Sequence, residues 1–426
     1  MSPNTVATAA PWLGVPADHP FGIATLPYGV FTTTDLPDRR RIGVRIGDRV
    51  LDLRAAVEAA GAPAADLHPL VAGPTLAAML AAAPSDWARL RAWITTQLGD
   101  DKARGLVEPF LLGCSEVTLL LPVEIGDYVD YYASAHHGSN VGKIFRPESP
   151  ALPVNWKHLP IGYHGRSGTV VVTGTDFHRP SGQRKGPQDP APVFGPSIRL
   201  DIEAELGYLV GGATRLGQRL SVDDAGSRLF GVVILNDWSA RDIQAWEYVP
   251  LGPYLGKSFC TSISGWVTPL AALDAAHIEL PRDGDDPEVL PYLRGTGTSP
   301  TGSGGTAYGL DVHVEVRVNG TVVARPEYRD MYWSPAQMLA HMTVNGASVR
   351  PGDLFGSGTI SGPEKGQRGS LLELSWGGSE PFALDDGSSR TYLLDGDEVV
   401  MTAWAPGPGG SRVGLGEVAG RVLPTA

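Results

Sequence analysis

The sequence predicts a mainly β chain, with a small N-terminal β-domain carrying a few helices and a larger β-rich part behind it. Three observations predict this. Glycine (54) and proline (36) together make about a fifth of the 426 residues, with no Gly-x-y period, as many tight turns between short strands require. Apolar residues alternate with polar ones at Ile42-x-Val44-x-Ile46, along 198–206 and along 312–318, which is the period of a half-buried strand. Residues 229–235 form an unbroken apolar run, as in a strand buried on both faces. The length allows more than one domain, and the change in character near Leu121-Pro122 divides the chain into 1–122 and 123–426.

Residues 1 to about 15 read as a flexible lead, and strand-like segments follow from Phe21 to Leu53. Gly47-Asp48 is a hairpin turn signal. Leu76, Met79, Leu80 and Ala83 have helical spacing, as do Trp87, Leu90, Trp93, Ile94 and Leu98, with Ser85 as the expected N-cap of the second helix. No catalytic cluster occurs in this part, which reads as scaffold or dimer element.

Beyond Val123, the strand at 197–210 places Asp201, Glu203 and Glu205 on one face, because residues i and i+2 share a strand face. Read alone, that face is solvated. The apolar run ends in Asn236-Asp237, and a helix over 238–247 would set Arg241 and Gln244 side by side. Lys257, in a Gly/Pro-interrupted loop, reads on its own as a surface lysine. Residues 295–306 are a Gly/Ser/Thr tract, expected to be a flexible surface loop. Asn319-Gly320 closes a hairpin, Met338–Met342 forms a short helix, and Leu371–Trp376 reads as a strand with Glu373 among apolar neighbours. A strand from Val399 to Trp404 closes the fold.

Composition limits the functions. Hydrophobic residues are 42% and charged residues 19% of the chain, enough for a packed core. The net charge of −12 argues against a nucleic-acid groove or an anionic membrane surface. Cys114 and Cys260 form no metal-type pair, so a zinc ribbon is excluded and a reducing cytoplasm fits. The first residues lack the basic and apolar regions of a secretory signal, and no apolar segment is long enough to span a bilayer. A Gly-x-Ser-x-Gly elbow, His-Glu-x-x-His and a P-loop are all missing. The Gly414-x-Gly-x-x-Ala419 match lies at the chain's end with no βαβ unit around it.

The window Asp127–Arg166 is the densest in chemistry. It holds Asp127, Asp130, Tyr128, Tyr131, Tyr132, His136 and His137, then Arg146, His158, Tyr163 and His164. A substrate pocket and a polar loop with packed tyrosines both account for it, and binding groups concentrate on loops. Four acids, Asp130, Glu203, Glu205 and Asp237, lack a plainer explanation. An all-oxygen set of this kind suits a hard divalent cation, Mg²⁺ or Ca²⁺, where zinc would prefer histidine or cysteine.

These segments together resemble the fumarylacetoacetate hydrolase family. The resemblance rests on Asp127–Arg166, Glu203-Ala-Glu205, the run Asn236-Asp-Trp-Ser-Ala-Arg-Asp-Ile-Gln, Gly256-Lys-Ser-Phe, Ser357-Gly-Thr-Ile-Ser-Gly-Pro-Glu and Leu372-Glu-Leu-Ser-Trp. It also takes in Leu26-Pro-Tyr-Gly-Val-Phe and Arg41-Ile-Gly-Val, so it covers nearly the whole chain. It implies an SH3-like N-terminal domain, a C-terminal mixed β-sandwich roll and a homodimer. By position, Asp130, Glu203, Glu205 and Asp237 would hold the divalent cation, with Lys257 and Thr261 near a second one. His137 would be the general base and Glu373 its orienting partner. Arg241, Gln244 and Lys257 would face the leaving group, and Tyr132, Arg146, Tyr163, Tyr248 and Thr359 would line the substrate.

The chain departs from the family pattern at His136, a second histidine beside the expected base, at Cys260 in place of glycine, and in the longer tract at 295–306. The implied reaction is hydrolysis of the carbon–carbon bond of 4-fumarylacetoacetate to fumarate and acetoacetate, the last step of tyrosine and phenylalanine breakdown. Histidine, with an ordinary pKa of about 6.5, suits removal of a water proton near neutrality. An acylpyruvate hydrolase, decarboxylase or isomerase on the same scaffold shares the acids without needing the His137/Glu373 pair. A metal-stabilised binding protein would need neither Lys257 nor Arg241 beside them.

Overall fold

The computed structural model describes residues 8–186, 188–295 and 308–426. The expected loop at 295–306 lies, apart from Gly295, outside the described residues. The fold class is as expected, mainly β. Among the described residues a 13-stranded mixed sheet runs from Leu111–Gly113 through Arg49–Asp52, Leu36–Ile46, Tyr28–Thr33 and Trp266–Pro269. It continues through Leu229–Asp237, Ala204–Val210, Leu354–Gly356 and Tyr128–Tyr131 to Gly162–His164. A five-stranded sheet, built mainly on the long antiparallel pair Glu398–Pro406 and Arg412–Leu423, closes the molecule.

The apolar run explains how the two halves join. Leu229, Val232 and Ile234 enter one core, while Phe230, Val233 and Leu235 enter the other. Alternate side chains leave opposite faces of a strand, so an unbroken apolar run serves both cores. The second core holds the N-terminal residues Val30, Ile42, Val44, Ile46, Leu90, Ile94 and Leu98.

Both predicted hairpins form. Gly47 has φ +59, and Asn319 and Gly320 have φ +49 and +82, the left-handed values that such turns demand. Three local expectations are corrected. Residues 10–13 are not a loose lead: the Ala10 N–H donates to Leu98 O at 2.8 Å, and Ala10 and Leu13 are buried. The helix Pro84–Gly99 starts on Pro84, so Ser85 lies inside it and Ala83 is the cap position. Proline suits the first helical position because its missing N–H would have no partner there. Finally, Leu371–Leu374 is a helical turn rather than a strand. Its first two N–H groups both donate to Asp201, at 2.7 and 3.1 Å, and Ser370 accepts from the Glu373 N–H. No described helix is long and apolar enough to cross a membrane.

Candidate active site

Strand register assembles the acids. Asp130 lies opposite Gly356 in a parallel pair, and Gly356 lies opposite Gly207 on the strand that carries Glu205. Asp237 ends the doubly buried strand and pairs with Thr261. Glu203 sits just before its strand, its N–H held by the Asn236 side chain at 3.2 Å. The solvated face expected for Asp201, Glu203 and Glu205 is therefore corrected: all three are buried. Asp130, Glu203, Glu205 and Asp237 each bring one oxygen within 4.8 Å of the others.

Such a cluster is costly in an apolar interior. Burial and the mutual repulsion of the acids push the carboxyls of Asp130, Glu205 and Asp237 above their ordinary range. Glu203 ends below its range, because Lys257, Arg241 and His137 together outweigh the opposing effect of burial. Lys257 is buried, not a surface lysine. Its ammonium donates to Glu203 and, at 2.7 Å, to Asp237. Thr261 Oγ1 and Tyr163 OH also donate to Asp237, at 3.2 and 3.1 Å.

The residues present fit a hard divalent cation. Asp130 Oδ1 and Glu205 Oε1 are buried and receive no N–H or hydroxyl donor among the described residues. Between these two carboxylates stands Gly356, where a Cβ would come within 2.7 Å of Glu205 Oε2 and 2.9 Å of Asp130 Oδ1. The space is thus kept open by the lack of a side chain, and the donors facing it are all oxygen, as Ca²⁺ or Mg²⁺ prefers.

Beside the acids is a second arrangement. The helix Ala135–Phe145 is capped by Ser134, which accepts from the His137 N–H at 3.2 Å. This fixes His137, whose Nδ1 lies 2.7 Å from Glu373 Oε2 and whose Nε2 lies 3.8 Å from Glu203 Oε1. Glu373 is fully buried. It also accepts from Asn140 Nδ2 at 2.9 Å, Ser361 Oγ at 3.0 Å and Ser370 Oγ at 2.8 Å. Burial would raise its carboxyl, but His137, Asn140 and Ser370 hold it below the ordinary range. Asn140, Ser361 and Ser370 escaped the sequence reading. Only Asn140 left a signal, three residues after His137 and so on the same helix face.

One cavity of about 410 Å³ collects Asp130, Tyr132, His137, Arg146, Tyr163, Glu203, Arg241, Gln244, Tyr248, Lys257 and Thr359. A second of about 530 Å³ reaches Asp237, Lys257 and Thr261 from another side. Glu205 and Glu373 lie behind these walls. Arg241 Nη1 donates to Gln244 Oε1 at 3.2 Å on the helix Arg241–Glu247. Thr359 Oγ1 is buried without a protein partner, a hydroxyl free for a ligand. His136 does not line the cavity, and Cys260 is packed in the core.

The fold, with this carboxylate cluster in one wall and a histidine–glutamate pair in the next, defines a metal-dependent hydrolase. Residues 128–423 match the model for the fumarylacetoacetate hydrolase C-terminal domain, and residues 24–122 match the fumarylacetoacetase N-terminal domain. The fumarylacetoacetase of Homo sapiens is 43% identical over 425 residues, covering 97% of this chain and 98% of its own. That of Caenorhabditis elegans is 44% identical over 426 residues, covering 97% and 99%. A fumarylacetoacetate hydrolase from the psychrophile Exiguobacterium antarcticum has the same fold, with a TM-score of 0.53 at 17% identity over 94% of this chain and 99% of that one. The chain belongs to the fumarylacetoacetase family.

Proposed function

We propose that this enzyme hydrolyses 4-fumarylacetoacetate to fumarate and acetoacetate, closing the breakdown of tyrosine and phenylalanine. The observation that carries the reading is the His137–Glu373 pair, 2.7 Å apart, opening onto the cavity that holds the acid cluster. Near-full-length identity of 40–44% to fumarylacetoacetases supports it.

In this reading Glu373 accepts the Nδ1 proton of His137 and so leaves Nε2 as the basic nitrogen. Nε2 takes a proton from water, and the water oxygen bonds to the ketone carbon next to the fumaryl double bond. The carbon–carbon bond then breaks, its electron pair leaves on the acetoacetate carbon as an enolate, and a proton returned there completes acetoacetate. A base positioned in this way contributes typically 10²–10⁴-fold. Lys257 donates toward the developing charge, which a dry site stabilises more strongly than water does, while Arg241 and Gln244 donate to the carboxylate of the leaving group and so anchor the substrate. Tyr132, Arg146, Tyr163, Tyr248 and Thr359 hold the dicarboxylate substrate. Asp130, Glu203, Glu205 and Asp237 would hold Mg²⁺ or Ca²⁺, which when bound supplies positive charge for the diketone oxygens. Thr261 and Asp237 offer oxygens beside Lys257 for a second cation.

We further propose a homodimer, supported by Phe194, Ile198, Trp246 and Leu251, which stand exposed. A cytoplasmic location is supported by the two cysteines, which are free thiols. The test of function is loss of fumarylacetoacetate absorbance on adding purified protein, with and without chelator. Metal-dependent loss is expected, and no loss with Mg²⁺ or Ca²⁺ present would move the reading to acylpyruvates.

A further inference from the structure

Asp201 is two residues from Glu203 yet belongs to neither the acid cluster nor the cavity wall. It is fully buried, and all four of its contacts are donors. Oδ1 accepts from the backbone N–H of Ile202 and of Leu371, each at 2.7 Å. Oδ2 accepts from the Leu372 N–H at 3.1 Å and from Arg241 Nε at 2.7 Å. Two of these donors open the turn that presents Glu373, and the third is the guanidinium whose Nη1 holds Gln244. One carboxylate thus ties the cavity's arginine to the backbone that carries the partner of His137.

We infer that Asp201 is a positioning residue, locking Arg241 and the Glu373 turn in one register so that substrate anchor and base pair keep a fixed spacing. This rests on the proposed hydrolase reading. The physical argument is that each oxygen must accept two hydrogen bonds. Arg241 is also paired with Glu203, its Nη2 at 2.8 Å from Oε1, a contact that reaches the acid cluster and not the Glu373 turn. The Asp201 bond, at 2.7 Å to Nε, is the one that joins the guanidinium to the Glu373 turn, because the same carboxylate accepts from Leu371 and Leu372. An asparagine of the same shape would turn an NH₂ toward two N–H donors, leaving buried donors unpaired. Displacement of catalytic groups by about 1 Å costs up to about a hundredfold in rate.

The test is a double-mutant cycle on the full-length, metal-loaded enzyme. Asp201→Asn is expected to raise KM about tenfold or more through Arg241 and to lower kcat through Glu373. In an Arg241→Gln background, Asp201→Asn is expected to leave KM unchanged and lower only kcat. An undiminished KM effect in that background, or wild-type kcat and KM in the single variant, would overturn the inference.

Arg241→Lys supplies a second test that needs no substrate and no Asp201 variant to fold. It removes the Nε donor, so the Leu371 and Leu372 amides are expected to exchange with solvent at least about tenfold faster as the turn loosens. Unchanged exchange would overturn the link even if the hydrolase reading holds. Faster exchange would support it even if fumarylacetoacetate proves not to be the substrate.

Discussion

His137 Nδ1 and Glu373 Oε2 lie 2.7 Å apart although 236 positions separate them in the chain. The pair is built from both ends, with Ser134 fixing the turn that carries the histidine and Asn140, Ser361 and Ser370 fixing the carboxylate. If it activates water, His137→Ala lowers kcat by at least about a hundredfold and leaves bound metal at wild-type stoichiometry. Normal turnover in that variant, or lost metal, would remove His137 from the role.

The same carboxylate gives a pH signature. Glu373 is held below its ordinary value of 4.5, so its share of stability is complete above that value and is lost as pH falls through the lowered folded value. In Glu373→Gln this share is missing at every pH. Urea midpoints of wild type and variant are therefore expected to differ most above pH 4.5 and to converge below it. A gap that widens on acidification would contradict the depressed carboxyl.

Gly356 tests the cation site by volume alone. An added Cβ would stand 2.7 Å from Glu205 Oε2 and 2.9 Å from Asp130 Oδ1. Gly356→Ala is expected to weaken Mg²⁺ and Ca²⁺ binding at least about tenfold by calorimetry and to cost about 1–3 kcal/mol of stability. Wild-type affinity would show that the cation sits elsewhere.

Chelation reads the same site as stability. Four carboxylates packed within 4.8 Å repel one another unless a cation lies between them. Metal at a hundredfold excess over Kd is expected to add about 2.7 kcal/mol, seen as a melting temperature that rises with Mg²⁺ or Ca²⁺ and falls with EDTA. In Glu205→Gln, one ligand charge is removed, so the response to metal is expected to shrink. An unchanged response would exclude Glu205 from the site.

The sequence made much of this legible where the signal was local. The period of two placed Glu203 and Glu205 together, the apolar run located Asp237 at a buried strand end, and helical spacing paired Arg241 with Gln244. It misjudged what depends on distant partners. Asp201 looked solvated because Arg241, which neutralises it, is 40 positions away. Leu371–Trp376 looked like a strand because its apolar residues carry no sign that two of its N–H groups are taken by Asp201, about 170 positions earlier. Lys257 looked exposed because the two carboxylates that receive it, Glu203 and Asp237, lie 54 and 20 positions earlier in the chain.

The most direct test of the central claim is hydrolysis of fumarylacetoacetate in heavy-oxygen water, with the products analysed by mass. Attack of water on the fumaryl ketone predicts one heavy oxygen in a fumarate carboxylate, released together with acetoacetate. Unlabelled fumarate, or consumption of substrate without this pair of products, would contradict it.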